Sequence, residues 1–337
     1  MLKVAILDDY AGVALASADW STLDGTAEVE VFREHLSEEQ AIDALRPFDV
    51  LCTIRERMAL PRRLFERLPN LKLVTIIGTS LPNLDMEAAT DHGVLIIHPD
   101  AEHGRPVDVS NATPELTWGL MIATVRHLAG QNRRMREGLW QDRVGIVLAG
   151  RTLGLLGLGK IGRRMAEYGK AFGMDVIAWS QNLTAEAAAE VGVRRVEKDA
   201  LFAEADVLSI HVRLSDRTRG LVTARELGLM KPTAYLVNTS RGPIVEEPAL
   251  IEVLAAGRIA GAGLDVFDAE PLPANHPLRR FDNVTLTPHL GYATEETFAA
   301  FYGDMPAAIA AFAQGAPIRV INKDAMAHAR GWSKPAT

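Results

Sequence analysis

The stretch TLGLLGLGKIG at 152–162 constrains the fold of this chain more than any other. An apolar run ends at Leu156. Gly157, Gly159 and Gly162 follow with the spacing G-x-G-x-x-G, and a helical pattern starts directly after them. In that setting the first glycine permits a tight turn. The second lets the backbone approach a pyrophosphate, and the third lets helix and strand pack closely. The helix N-terminus then offers unpaired N–H groups and a partial positive charge to an anion. A glycine-rich turn kept only for packing is the alternative, and the strand-before, helix-after context favours dinucleotide binding. Gly157, Gly159, Lys160, Ile161 and Gly162 are therefore the candidate phosphate loop, and Ile161, Met165 and Phe172 are expected on the inward helix face.

The next strand, Asp175–Trp179, should end near the adenosine ribose, where NAD sites usually place an acidic residue. Here the strand is followed by Ser180, Gln181 and Asn182. Without a carboxylate a 2′-phosphate is not repelled, so the cofactor is NAD or NADP, with NADP or dual use slightly favoured.

Around this motif, short apolar runs alternate with helical patterns along the 337 residues, as strands alternate with crossover helices in parallel sheets. Before residue 100 the runs are Val4–Leu7, Val29–Phe32, Asp49–Ile54, Leu71–Ile77 and Val94–Ile97, with helices expected at Ser37–Leu45 and Pro61–Leu68. The polar, proline-interrupted stretch His98–Glu115 reads as a linker or functional loop. One long helix is expected from about Pro114 to Gly130. From Thr152 the alternation resumes, and from Thr294 the pattern is helical with Pro306 interrupting it. Two βα series predict an α/β protein of two doubly wound, Rossmann-like domains with parallel sheets.

Charge and cysteine content narrow the setting. With 36 Lys and Arg against 43 Asp and Glu, the net charge of −7 lacks the basic footprint of a general nucleic-acid binder. The longest uncharged stretch, Met305–Ile318, has 14 residues and carries two prolines, where a membrane span needs roughly 20 apolar residues. A single cysteine, Cys52, excludes an intramolecular disulfide and a cysteine-based zinc site, and no metal site is expected. A cytoplasmic protein is the reading.

Three polar residues follow three later strands: Arg241 in NTSRGP, Glu270 in LDVFDAEP and His289 in TPHLGY. Strand ends of a parallel sheet converge on one crevice. Hydride transfer to a 2-oxo acid needs a cation for the carboxylate, a proton donor for the carbonyl oxygen and a carboxylate to hold that donor. Arg241 offers a planar fork, His289 a proton near neutrality, and Glu270 a partner that orients the imidazole and favours its charged form. Taken singly, each could be an ordinary loop residue.

Taken in order, LGLLGLGKIG, HVRLSDRTRGLV, AYLVNTSRGPIVEEPAL, AGAGLDVFDAEPLP and NVTLTPHLGYAT resemble the D-isomer-specific 2-hydroxyacid dehydrogenase family, and the likeness runs over nearly the whole chain. The resemblance implies a cofactor domain, 106–290, inserted into a discontinuous substrate domain, 1–105 and 291–337, with a crevice between them. It implies hydride exchange between a nicotinamide cofactor and a small 2-oxo or D-2-hydroxy acid, glyoxylate- or hydroxypyruvate-like or phosphoglycerate-like. Arg241, Glu270 and His289 match the family's catalytic residues. Asp265 matches an Asp near the nicotinamide carboxamide, and Val212, Thr218 and Thr239 match positions lining the cofactor. Thr79 and Ser80 match the loop that holds the substrate carboxylate, and Arg55 an Arg facing the substrate in phosphoglycerate-handling relatives. A homodimer through the cofactor domain is also implied. It is consistent with Leu116, Trp118, Leu120, Met121, Val125 and Leu128, which spread too widely around one helix for a single buried face.

The chain departs from the family pattern at Ser180, where an Asp is usual, and at Arg213, where a Pro is usual. The His98–Glu115 loop is longer and more polar than its counterparts, and the C-terminal regulatory domain of many phosphoglycerate dehydrogenases is not expected. Two other functions suit the same fold: a dinucleotide-sensing binding protein of the corepressor type, and a formate- or phosphite-type dehydrogenase.

Overall fold

Runs of β-branched and leucine residues give strands wherever both sheet faces are covered, and this chain has two such sheets. The computed structural model describes residues 1–77, 81, 83–99 and 108–330. The chain divides into two units, Met1–Val107 with Thr294–Thr337, and Asp108–Ala293.

The first unit holds β1 (Leu2–Ile6), β2 (Ala27–Val31), β3 (Val50–Ile54), β4 (Leu73–Ile77) and β5 (Leu95–Ile97), in the order β2-β1-β3-β4-β5. Every pairing is parallel. β3, β4 and β5 are buried along their whole length, which explains their unbroken apolar sequence. Helices α1 (Glu38–Leu45), α2 (Arg62–Arg67) and α3 (Met86–Asp91) connect them. A capping box between Ser37 and Gln40 starts α1. Pro61, expected inside α2, stands just before it at the N-cap.

The second unit opens with α4 (Ala112–Val125) and α5 (Leu128–Arg136), where the sequence suggested one long helix. His127 between them is left-handed, with φ 55°, and breaks the helix without a Gly or Pro to announce it. Trp118, Leu120, Met121 and Val125 are buried, and α4 packs on strands and a helix of its own unit. These four residues therefore need no second surface, which corrects the argument made from their spread. The exposed apolar residues lie further on: Leu128, Met135, Leu139, Trp140, Val144 and Val147.

A seven-stranded sheet follows: β6 (Thr152–Leu156), β7 (Asp175–Trp179), β8 (Arg194–Arg195), β9 (Val207–Ile210), β10 (Tyr235–Asn238), β11 (Gly261–Leu264) and β12 (Val284–Leu286). Its order is β12-β11-β10-β9-β6-β7-β8, and all pairings are parallel. Helices α6 (Lys160–Ala171), α7 (Ala185–Ala189), α8 (Lys198–Glu204), α9 (Ala224–Leu229) and α10 (Glu247–Ala255) accompany it. Leu208, Leu236 and Ile177 pack into one core, while Val207, Tyr235, Val237, Val176 and Ala178 pack into another. Successive residues thus face opposite layers, as strands buried on both faces require. Strand order reverses between β6 and β9, which makes their C-terminal ends the switch point where such sheets bind ligands. Of the expected inward face of α6, Met165 is buried, while Phe172 caps the helix end and is 47% exposed, its ring against Trp118.

The chain then returns to the first unit as α11 (Glu295–Tyr302) and α12 (Met305–Ala313). Pro306 does not interrupt a helix; it occupies the first turn of α12, where no N–H is needed. Beyond α12, Asn322 accepts from the N–H of Ile96 and donates to the carbonyl of Val94, sealing the β5 edge with a side chain 226 residues away.

Candidate active site

The phosphate loop is shaped by contacts that leave no room for side chains. Gly157 has φ 108° and its N–H donates to the Trp179 carbonyl, at 2.8 Å, tying the ends of β6 and β7 together. A Cβ on Gly157 would lie 2.8 Å from the His211 carbonyl oxygen, and one on Gly162 would collide with the carbonyl oxygen of Gly157. Gly159 differs: a Cβ there would meet nothing within 4 Å. It stands at the N-cap of α6, with no side-chain hydrogen bond closing the first turn. These residues fit a dinucleotide pyrophosphate. Lys160 beside them is exposed, and Ile161 is half-buried.

After β7, Ser180 is half-buried, and Gln181 and Asn182 are exposed in a turn closed by the Leu183 N–H on the Ser180 carbonyl. The two arginines of β8 are already engaged. Arg194 pairs with Glu204 at 2.6 Å; Arg195 pairs with Glu197 at 2.7 Å and donates to the Leu183 carbonyl.

After β9, the carbonyl of Val212 accepts from the Ser240 hydroxyl, and Thr218 Oγ1 donates to the Arg213 carbonyl at 2.6 Å. Thr239 is buried, its hydroxyl 2.7 Å from that of Thr117. The hydroxyls of Thr218 and Thr239 thus brace the chain's own loops. His211 is half-buried and shares a 2.8 Å hydrogen bond with Ser209; burial pushes its imidazole down to about 3, so it is neutral at physiological pH.

The ends of β10, β11 and β12, adjacent strands, carry the three candidate catalytic residues. At β10, the Asn238 side chain accepts from the Ser240 N–H and donates to the Arg241 carbonyl. Arg241 Nη1 donates to the Ser240 carbonyl at 2.7 Å. At β11, Glu270 accepts from the Phe267 N–H through Oε1, and its Oε2 lies 2.5 Å from His289 Nδ1. His289 is left-handed, with φ 54°, and its N–H donates to the Asp265 carbonyl. Asp265 accepts from the Thr287 hydroxyl and the N–H groups of Leu290 and Gly291, so its buried carboxylate holds the whole turn around His289. Burial pushes the Asp265 carboxyl up, against the pull of those donors and of His289. Tyr292 packs edge-on to the His289 ring. The side chains of His289 and Glu270 remain 29% and 33% exposed, so the pair meets solvent or a ligand. An imidazole locked at Nδ1 by a carboxylate presents Nε2 outward, the arrangement of an acid–base pair.

Asn238, Ser240, Thr287 and Tyr292 were not singled out from sequence, though each lies within a motif quoted above; hydrogen bonds distinguish the first three, and the ring contact with His289 the fourth. Of the other candidates, Arg55 lies in the first unit, left-handed at φ 50°, its guanidinium 5.4 Å from the Phe301 ring centre. Thr79 and Ser80, and residues 100–107 of the long loop, lie outside the described residues. Among the described residues no helix is long and apolar enough to cross a membrane.

Comparison with known proteins gives the same family. Residues 118–291 match the family model for the NAD binding domain of D-isomer specific 2-hydroxyacid dehydrogenases. A glyoxylate reductase of Aeropyrum pernix is 40% identical over 271 residues, 77% of this chain and 79% of the relative. A D-3-phosphoglycerate dehydrogenase of Methanocaldococcus jannaschii is 36% identical over 88% of this chain, which spans 54% of that relative's length. The crystal structure of a phosphoglycerate oxidoreductase from Vibrio cholerae O395 superposes with a TM-score of 0.84 at 37% identity, covering 94% of this chain and 100% of that one. The chain belongs to the D-isomer specific 2-hydroxyacid dehydrogenases and is a nicotinamide-dependent oxidoreductase that interconverts 2-oxo and 2-hydroxy acids.

Proposed function

We propose that the chain reduces a short 2-oxo acid of the glyoxylate or hydroxypyruvate kind to its D-2-hydroxy acid, with His289 as proton donor. The observation that carries this reading is the 2.5 Å contact between His289 Nδ1 and Glu270 Oε2 on neighbouring strand ends, one strand from Arg241. A glyoxylate reductase and a hydroxypyruvate reductase among the relatives, at 40% and 35% identity, support the substrate class.

In this mechanism Gly157–Gly162 and the α6 N-terminus would hold the cofactor pyrophosphate, and the bound cofactor supplies or accepts the hydride. Arg241 binds the substrate carboxylate, its fork fixed by the Ser240 carbonyl. His289 places Nε2 at the substrate carbonyl oxygen and delivers a proton as negative charge develops there. Glu270 fixes the ring through Nδ1. In oxidation the same imidazole starts neutral and takes the hydroxyl proton. Asp265 keeps the turn that aims the ring.

NADP, or both cofactors, is the preferred choice, since Ser180, Gln181 and Asn182 carry no carboxylate against a 2′-phosphate. A homodimer covers the exposed apolar residues between Leu128 and Val147. A cytoplasmic setting suits a chain whose one cysteine, Cys52, is buried with its thiol pushed up to about 12. The test is a panel of glyoxylate, hydroxypyruvate, pyruvate, phenylpyruvate and 3-phosphohydroxypyruvate, each assayed with NADH and NADPH. Highest kcat/KM for glyoxylate or hydroxypyruvate is the expected result; clear preference for the phosphorylated or aromatic acid rejects this substrate class.

A further inference from the structure

We infer that Arg213 recognises the 2′-phosphate of NADP(H), and so sets cofactor choice together with Ser180. This rests on the reading of NADP or dual use given above, and names the residue responsible. Register places it: Leu156 at the end of β6 pairs with Ile210 at the end of β9, so residues 211–213 run beside the phosphate loop at the switch point. The approach is close, since a Cβ on Gly157 would lie 2.8 Å from the His211 carbonyl oxygen and 3.0 Å from Val212 Cγ1. Arg213 is the next residue, and it is exposed.

Its backbone is fixed. Thr218 Oγ1 donates to the Arg213 carbonyl and accepts from the Ser215 N–H, and the Val212 carbonyl accepts from Ser240. The exposed side chain therefore leaves a loop held by hydrogen bonds on both sides of it. The basic residues that follow β7 are engaged: Arg194, Arg195 and Lys198 pair with Glu204, Glu197 and Glu226. Arg213 makes no ion pair with the described residues. Across the phosphate loop, the β7 end carries Ser180, Gln181 and Asn182. The switch point is thus flanked on one side by neutral residues and on the other by an uncommitted planar cation. A phosphate dianion suits that field, and a fork of N–H donors matches its oxygens.

The experiment is calorimetric binding to the cofactor-free protein, with adenosine 2′,5′-bisphosphate and 5′-AMP as probes. The parent should bind the bisphosphate more tightly. Arg213→Leu should weaken bisphosphate binding about ten- to a hundredfold, the usual worth of charge-assisted hydrogen bonds, and leave 5′-AMP unchanged. Arg213→Lys should recover part of the loss. An equal loss for both probes, or no loss for either, overturns the assignment while leaving NADP use standing. A parent protein that does not prefer the bisphosphate overturns both the assignment and the NADP reading. Since Arg213 is exposed, an unchanged melting temperature shows that the variants are folded.

Discussion

His289 holds a left-handed backbone that costs a residue with a Cβ roughly 1–2 kcal/mol. Its N–H on the Asp265 carbonyl and the Asp265 carboxylate on Leu290 and Gly291 enforce that conformation. Strain of this kind concentrates where a side chain must be aimed, here at Glu270. His289→Asn should lower reductive kcat by about 10²–10⁴, the usual worth of general acid–base catalysis, with affinity for the reduced nicotinamide cofactor by fluorescence titration nearly intact. A variant reducing its best 2-oxo acid near the parent rate removes His289 from the chemistry. Glu270→Gln keeps a hydrogen-bonding partner for Nδ1 and removes the carboxylate. Reductive kcat should then fall with cofactor affinity unchanged; an unaltered kcat means that the Glu270 carboxylate plays no part in the proton transfer. Arg241, Glu270 and His289 were legible because each sits in a short motif at a strand end. The bracing roles of Asp265 and Asn238 were not. Asp265 bonds residues 22 to 26 positions away, a closeness set by the pairing of β11 with β12 and absent from any local pattern.

At the scale of elements, the loop between β6 and α6 predicts a sharp effect from one methyl group. Gly162→Ala would drive a Cβ into the Gly157 carbonyl, a backbone atom that cannot swing aside. Dinucleotide binding by calorimetry should weaken at least about tenfold, the factor set by a distortion costing roughly 1.4 kcal/mol. Unaltered binding would mean that the loop shifts freely. A second effect concerns α8 and α9, joined through Glu226. Burial works against its charge, but hydrogen bonds from the Thr223 hydroxyl and N–H, with Lys198 and Arg225, outweigh it and pull the carboxyl down to about 2. A depressed carboxylate stabilises the fold above its unfolded value of about 4.3 and loses that contribution as pH falls toward 2. Glu226→Gln should therefore cost on the order of 2–3 kcal/mol at pH 7, measured by urea unfolding. The gap to the parent should close on acidification; a gap that is flat with pH refutes the electrostatic account. Among elements, strands buried on both faces could be read from their apolar runs. β8 could not, being two arginines that pair with β7 and turn their heads to solvent-side glutamates. Nor could the break at His127, where no Gly or Pro marks the turn.

On the scale of the molecule, the chain builds two doubly wound units from one alternating pattern, and the second leaves apolar surface uncovered. In the second unit Leu128 and Met135 lie on α5, and Leu139, Trp140, Val144 and Val147 follow in a segment without helix or strand. Trp140, Val144 and Val147 are 72%, 87% and 72% exposed. Single exposed apolar residues are ordinary, but six of them between Leu128 and Val147 make this segment a candidate interaction surface. A second copy of the chain is the partner proposed above. Covering a Trp or Val side chain fully contributes about 1.5–3 kcal/mol, so replacing two of them with charges should weaken association at least about a hundredfold. Trp140→Asp combined with Val144→Asp should convert a species of twice the chain mass into one of single mass at micromolar concentration. Light scattering coupled to size exclusion reads this directly. Trp140 and Val144 are exposed and lie outside every helix and strand, so circular dichroism and thermal melting should find the separated protomer folded. Light scattering that finds the parent protein at single mass under the same conditions rejects the dimer, and a double variant that stays at twice the mass places the contact on another face.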